Sequence, residues 1–375
     1  MRLKTLYWRR GDNYRSKAGL SLQRWLASGL LISCWIACSS QALAQQRGGP
    51  TALAAGVRIG VEHDDNAHRV EAADAKRDFL TRYFATLDAT HEISPQAQAF
   101  AGMRLGAKVF FEEHSADSLL TQIDLGYQQR ISNRVTFSGG LDIKDLTERL
   151  SLRDYTRGGA RLGAGLSLGI VRLSASAGWR YFAFKPQAVQ SSHGPNLSLG
   201  ARAQLTESIG LELGYTMARR LLDSQALRLE GNVFILDSSG ELRRDSFHGW
   251  RLGASYRSFL LLDASYGLSI NTSNSYGQQL LRHSIDLMVT TPLFWEVYMS
   301  LRGELQRTSY TDPVLVDEFF VTDEENRNAA ILAVARPFAE NWEIEARFSL
   351  YLQEFGVGSQ YSRQTFLIAI GYGFE

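Results

Sequence analysis

From Gln45 to the last residue, apolar and polar side chains alternate with a period of two. Successive side chains of a β-strand point to opposite faces, so this pattern predicts strands throughout and no long helix. In Ile170 to Ala183, Val171, Leu173, Ala175, Ala177, Trp179 and Tyr181 fall on one face, while Arg172, Ser174, Ser176, Gly178 and Arg180 fall on the other. The predicted strands are 54–62, 77–91, 98–112, 118–131, 134–147, 153–168, 170–184, 194–207, 208–222, 245–257, 259–272, 278–291, 294–310, 326–337, 341–354 and 363–374. That makes about sixteen, with fourteen to eighteen inside the error of boundary assignment.

The connections alternate as well. Very short turns near Asn133, Gly169, Glu207, Ser258, Pro292 and Glu340 are followed by longer polar loops, the longest at about 63–76, 223–244 and 311–325. This asymmetry is that of a closed antiparallel transmembrane β-barrel with short periplasmic turns and long extracellular loops. The 223–244 loop is expected to hold a small hairpin of its own around Val233 to Leu236 and Ser238-Ser239-Gly240, kept outside the barrel because counting it as spanning would make the strand number odd.

Aromatic placement agrees with two membrane girdles. Trp179 and Trp250 lie on the apolar face near loop-side strand ends, and Trp295 and Trp342 lie on that face just after short turns; Tyr372 and Phe374 join the lower group. A soluble β-sandwich would also alternate, but it would bury its tryptophans centrally and would not need sixteen strands of this length.

Charge and composition change the picture mainly at the N-terminus. Seven basic residues and one acid precede the uncharged, mostly apolar run Trp25 to Ala37, and Ala42-Leu43-Ala44 supplies the small residues of a cleavage site, so residues 1–44 read as a signal peptide cut after Ala44. A rival reading makes Cys34 a lipidation site. Cleavage removes Cys34 and Cys38, leaving no disulfide, thiolate metal site or thiol nucleophile. It also leaves 33 basic against 38 acidic residues, a net of −5. Without basic blocks in the mature chain, a nucleic-acid partner is not expected. The division predicted is signal peptide 1–44, a short periplasmic segment 45–53 and a barrel over 54–375.

The face opposite the apolar one carries about seventeen basic and twelve acidic residues. Candidate lumen-lining residues are Arg104, Lys108, Asp124, Arg130, Asp142, Arg157, Arg161, Arg172, Arg180, Arg202, Glu212, Arg251, Asp263, Arg282, Asp286, Glu296, Arg302, Glu304, Glu343, Glu345 and Arg347. Such a lumen is polar and mildly cationic, either as a water-filled path or as a structural filling of paired charges. Glycines on this face (Gly126, Gly140, Gly159, Gly163, Gly165, Gly178, Gly200, Gly214, Gly253, Gly267) leave space and favour a pore. The acidic run Asp312, Asp317, Glu318, Asp323, Glu324 and Glu325 matches no calcium-loop spacing and reads as a solvated loop. Asp64-Asp65-Asn66, flanked by His63 and His68, could ligate a metal, although an Asx turn is the simpler reading. No metal or cofactor is assigned. The seven histidines are scattered, and His283 and Ser284 are neighbours on opposite faces of one strand, so no catalytic arrangement is visible and no enzyme is expected.

The alternating Phe366, Ile368, Ile370, Tyr372 and Phe374 resemble the terminal strand recognised by outer-membrane assembly machinery, with Glu375 following the aromatic as a departure. The mature chain as a whole resembles a bacterial outer-membrane β-barrel, and Val61-Glu62-His63-Asp64-Asp65-Asn66 resembles the start of the type 2 β-barrel porin group. Some members of that group are associated with surface-polysaccharide export. The resemblance therefore implies a Gram-negative outer membrane, contact with outer-membrane lipid and lipopolysaccharide, and a partnership with periplasmic polysaccharide-export proteins. The leading functional classes are a channel for hydrophilic solutes or a polysaccharide, and a non-conducting surface-interaction scaffold, with an outer-membrane enzyme third.

Overall fold

The computed structural model describes residues 50–70, 73–150, 153–231, 233–312, 328–355 and 359–374. The expected cleavage residues Ala42 and Ala44, the lipidation candidate Cys34, the acidic loop beyond Asp312 and Glu375 lie outside them. Sixteen strands form one closed barrel: β1 (Thr51–Asp64), β2 (Asp78–Ser94), β3 (Ala97–Phe110), β4 (Ser118–Arg130), β5 (Val135–Glu148), β6 (Tyr155–Leu168), β7 (Val171–Phe184), β8 (Ser192–Gln204), β9 (Ile209–Gln225), β12 (Leu242–Arg257), β13 (Leu261–Ser273), β14 (Leu280–Pro292), β15 (Tyr298–Tyr310), β16 (Asn328–Ala339), β17 (Trp342–Phe355) and β18 (Ser359–Phe374). Strands β10 (Leu227–Glu230) and β11 (Val233–Leu236) make a separate hairpin between β9 and β12.

Each barrel strand pairs antiparallel with its neighbours, and β1 closes the ring against β18 from Ala55↔Phe374 to Asp64↔Thr365. Full closure removes the open edges that a lipid environment does not tolerate. One rim carries connections such as 95–96, 169–170 and 340–341; the other carries 65–77, 226–241 and 311–327. The outward face is apolar and open: Leu162 is 74 % exposed, and Val61, Leu252, Leu305 and Ile368 are each exposed by half or more. Such a surface is stable only against lipid.

Three local expectations need correction. The first strand starts at Thr51, taking residues 51–53 from the anticipated periplasmic segment, because the long β2 extends the ladder down to Thr51↔His91. The small hairpin turns at Gly231, with its register running from Leu227↔Leu236 to Glu230↔Val233, so Ser238-Ser239-Gly240 form the next bend instead. β15 starts at Tyr298 and not at 294: Trp295 and Glu296 have φ of 56° and 61°, and Val297 donates its amide to the Phe294 carbonyl at 3.2 Å. Two left-handed central residues make this a type I′ turn, the twist that suits a hairpin. Glu296 therefore sits in a turn and does not line the lumen, and Trp295 is a turn residue and not part of a strand.

Candidate functional site

Register fixes which side chains face inward. Residues paired across strands share a face, so the chain of pairs Asp124↔Asp142, Asp142↔Gly159, Gly159↔Arg180, Arg180↔Gly194 defines the inner wall from β4 to β8. By the same propagation the inward positions include Arg104, Lys108, Asp124, Arg130, Asp142, Arg157, Arg161, Arg172, Arg180, Arg202, Glu212, Arg251, Asp263, Arg282, Asp286, Arg302, Glu304, Glu343, Glu345 and Arg347. They also include Arg58, Glu62, Asp64, Arg82 and Arg363, which the candidate set lacked.

These charges are not spread evenly. Around the closing seam they are matched. Arg58 binds Glu343 at 2.9 Å and Glu345 at 2.6 Å, and Arg347 also reaches Glu345. Glu62, 1 % exposed, accepts from Arg82 at 2.6 Å and lies 3.5 Å from Lys108. Asp64 is fully buried and takes a two-pronged bond from Arg363, the Nε lying 2.8 and 3.0 Å from its two oxygens.

The Asp64-Asp65-Asn66 motif completes this clasp. Asn66 donates its side-chain amide to the carbonyls of Val70 (2.7 Å) and Ser362 (3.1 Å), and Asp65 accepts from the Gln364 amide at 2.6 Å. These bonds fasten the first strand to the last at the long-loop rim. Each of the three side chains thus makes hydrogen bonds in a structural Asx turn, and no group of three potential metal ligands occurs among the described residues.

Eight places round the sixteen-strand ring from β17 lies β7. Here the wall is purely basic: the inner faces of β6, β7 and β8 hold Arg157, Arg161, Arg172, Arg180 and Arg202 and no acid. Arg157, Arg161, Arg172, Arg202 and, two strands further on, Arg251 make no ion pair among the described residues. Glycines shape this wall differently from expected. The Arg161 side chain lies over Gly140 and that of Arg172 over Gly165, their Nε atoms 3.4 and 3.8 Å from where a Cβ would stand, and the Phe100 ring fills the place above Gly126. Some of the space the glycines leave is therefore a bed for arginine stems lying along the wall.

Counted from the short-turn ends of their strands, Arg172 is one residue in, Arg202 two, Arg251 six, Arg161 seven, Arg180 nine and Arg157 eleven. At about 3.3 Å per residue and a tilt near 40°, these correspond to heights of roughly 3, 5, 15, 18, 23 and 28 Å along the barrel axis. No step exceeds about 10 Å, the Debye length at 0.1 M salt. The arginines form a continuous positive ladder through the wall.

The outward aromatic residues form two belts. At the short-turn rim Trp342 packs on Tyr372 at 4.9 Å, Tyr372 is followed by Phe374 at 6.4 Å, and Phe294 meets Trp295 edge-on at 4.8 Å. Higher up, Trp179 stacks on His193 at 5.6 Å and Trp250 lies 5.6 Å from Tyr215. Trp250 stands eight residues below the loop end of β12, nearer mid-strand than anticipated, because that strand starts at Leu242. Three of the seven histidines, His193, His248 and His283, belong with these outward aromatics: besides His193 on Trp179, Tyr215 and His248 share a hydrogen bond at 2.8 Å, as do Tyr266 and His283 at 2.7 Å. Cross-strand register creates these pairs, so the sequence alone gave no signal for them.

Outside the strands, Glu113 is held by His68 at 2.9 Å and Lys76 at 3.0 Å, tying loop 65–77 to loop 111–117, and these bonds lower its pKa. Asp117 is shifted the other way by burial, although it accepts the Phe110 amide at 2.8 Å.

No protein-family model matches the chain, and no curated protein matches it significantly. Solved structures do. A bacterial polysaccharide outer membrane secretin shares 10 % identity over 86 % of this chain and 98 % of its own, with a TM-score of 0.44. A loop-deletion mutant of OmpT, an outer membrane protein of Vibrio cholerae, shares 11 % over 87 % and 100 %, with a TM-score of 0.48. A triple mutant of the Rhodopseudomonas blastica porin shares 12 % over 86 % and 100 %, with a TM-score of 0.36. The fold itself is read from the chain's own pairing, an all-β closed antiparallel barrel of sixteen strands.

Proposed function

We propose that this barrel is a channel in the outer membrane of a Gram-negative-type bacterium, passing small hydrophilic solutes with a preference for anions. The observation that carries it is the wall of β6 to β8, with five inward arginines and no acid, facing a seam whose charges are already neutralised. An anion passing β6 to β8 meets Arg157, Arg161, Arg172 and Arg202, which make no ion pair among the described residues, and meets no acid on those three strands. Partly open side chains such as Arg104 and Arg302, 45 % and 61 % exposed, support a solvated interior. Export of a surface polysaccharide is the same reading with a longer substrate. Its support is the sequence resemblance, and it would call for a periplasmic partner at the short-turn rim.

The test is conductance and reversal potential of the refolded residues 45–375 in a planar bilayer. Stable openings with anion preference are expected. A folded barrel that stays silent overturns the open channel in favour of a scaffold, and cation preference overturns the role given to the arginines.

A further inference from the structure

We infer that the lipid-facing wall of β9 and β12 binds the phosphate of an outer-leaflet glycolipid through Arg219 and Arg244; this rests on the outer-membrane placement proposed above and not on conduction. Register puts both side chains outside the barrel. Arg219 stands across from Ser246, in step with the outward pairs Tyr215↔Trp250 and Met217↔His248, and Arg244 stands across from Leu221. The Arg219 carbonyl packs against Gly194 while its side chain points outward. From β6 to β15 the charged residues on this face, histidines aside, are Arg219 and Asp223 on β9, Arg244 on β12 and Arg307 on β15. All four lie in the loop-side half of their strands. Arg307, Arg219 and Arg244 are nine, ten and thirteen residues from the short-turn ends, at heights of roughly 23, 25 and 33 Å. Tyr215 and Trp250 lie below them, at roughly 15 and 18 Å. The apolar band of such a barrel is about 25 Å tall, so the arginines stand at and above its upper edge, where headgroups lie.

An arginine on the lipid face is costly unless an anion meets it. Arg219 and Arg244 are exposed, and their side chains make no ion pair or hydrogen bond among the described residues. The surrounding acids do not serve: Asp223 stands four residues further up β9, Asp245 is on the inner face and held by Arg243 at 2.6 Å, Glu241 precedes β12, and none of the three pairs with Arg219 or Arg244. Because Arg219 faces Ser246, Arg244 is its diagonal neighbour, with Cα atoms about 7–8 Å apart. Two like charges at that spacing repel, and a phosphate held between them replaces the repulsion with two attractions. The guanidinium fork matches phosphate oxygens. Below the pair, the outward side chains of Leu213, Met217 and Leu252 are exposed and offer a surface for alkyl chains. A phosphate above alkyl chains at the long-loop rim describes the phosphorylated glycolipid of the outer leaflet, the lipid anchor of lipopolysaccharide.

Native mass spectrometry of the refolded residues 45–375 in detergent, with lipid A added, tests this without requiring conduction. The wild type should retain lipid A at least about tenfold better than dephosphorylated lipid A, as expected for charge-assisted hydrogen bonds to one phosphate, and better than phosphatidylglycerol. Excess inorganic phosphate should not displace it. Arg219→Gln/Arg244→Gln, checked for folding by heat-modifiable mobility, should lower retention by about tenfold or more, whereas Arg336→Gln, outward at the opposite rim, should leave it unchanged. If the double variant does not fold, Arg244→Gln alone decides. Equal retention of dephosphorylated lipid A, equal retention of phosphatidylglycerol, displacement by inorganic phosphate, or wild-type retention in the arginine variant overturns the site. A conducting barrel that retains no lipid A would leave the channel standing and remove this proposal; a silent barrel that retains it through these arginines would do the reverse.

Discussion

Removing the middle of the arginine ladder should abolish most of the anion preference. Arg251 and Arg161 occupy heights of roughly 15 and 18 Å, between Arg202 at about 5 Å and Arg180 at about 23 Å. The double variant Arg161→Gln/Arg251→Gln opens a gap of about 18 Å, nearly two Debye lengths at 0.1 M salt. A guanidinium about 4 Å from a passing ion contributes roughly 1 kcal/mol even at the dielectric constant of water, a factor of about five in local occupancy. Reversal potentials across a 0.01 to 0.1 M KCl gradient should therefore show the chloride-to-potassium permeability ratio falling about fivefold or more. In 1 M salt, where the Debye length is about 3 Å, the variant and the wild type should converge. Arg336, which pairs with outward-facing Ile344, supplies the control: Arg336→Gln should leave selectivity where it was. Unchanged selectivity in the double variant at 0.1 M would refute the ladder.

Three further outcomes follow from geometry outside the ladder. Arg363→Ala leaves Asp64 buried and unpaired and should cost about 3–5 kcal/mol in urea unfolding from liposomes, whereas Asp64→Leu/Arg363→Met should recover most of it; equal midpoints for wild type and Arg363→Ala would show that the seam does not depend on the pair. Glu296→Gly relieves one left-handed non-glycine residue and should raise stability by about 1 kcal/mol, read as a higher melting temperature; a lower one would mean the turn has another shape. The pKa of Glu113 is lowered chiefly by its hydrogen bond to His68, so the loop clasp contributes stability above the ordinary glutamate range and loses it as pH falls through the depressed value. Amides of residues 66–70 and 112–116 should then exchange faster at about pH 3 than at about pH 6, after correction for intrinsic rates, with Glu113→Gln abolishing the difference.

The strands were legible because lipid outside and polar lumen inside impose opposite demands on alternate residues, and sixteen strands with long and short connections emerged from that alone. What pairing creates was not legible. Asp64 and Arg363 are 299 positions apart, and nothing local in either strand announces the other. Glu296 was misplaced because the alternation Trp295, Val297, Met299 runs unbroken through the turn, and the Asn-Gly signal of a type I′ turn is absent. The inner wall was readable residue by residue, yet its division into a matched seam and a basic wall depends on ring order.

That division has a physical reading. The seam joins strands far apart in sequence, so specific ion pairs there help closure and register. Strands β6, β7 and β8 are joined by the two-residue turn 169–170 and the loop 185–191 and need no such clasp. Their arginines even oppose folding: Arg172 stands directly across from Arg202, and Lys144 directly across from Arg157. Like charges at opposed positions destabilise a sheet by roughly 0.2–1 kcal/mol each. Glu212 opposes Arg202 on its other side but makes no ion pair with it among the described residues, so the repulsion stands. Arg172→Glu should accordingly stabilise the barrel by up to about 1 kcal/mol while lowering anion selectivity at the short-turn mouth. If selectivity stays and stability falls, the arginines belong to the architecture; if stability rises and selectivity drops, they are kept at the expense of the fold for what passes through it.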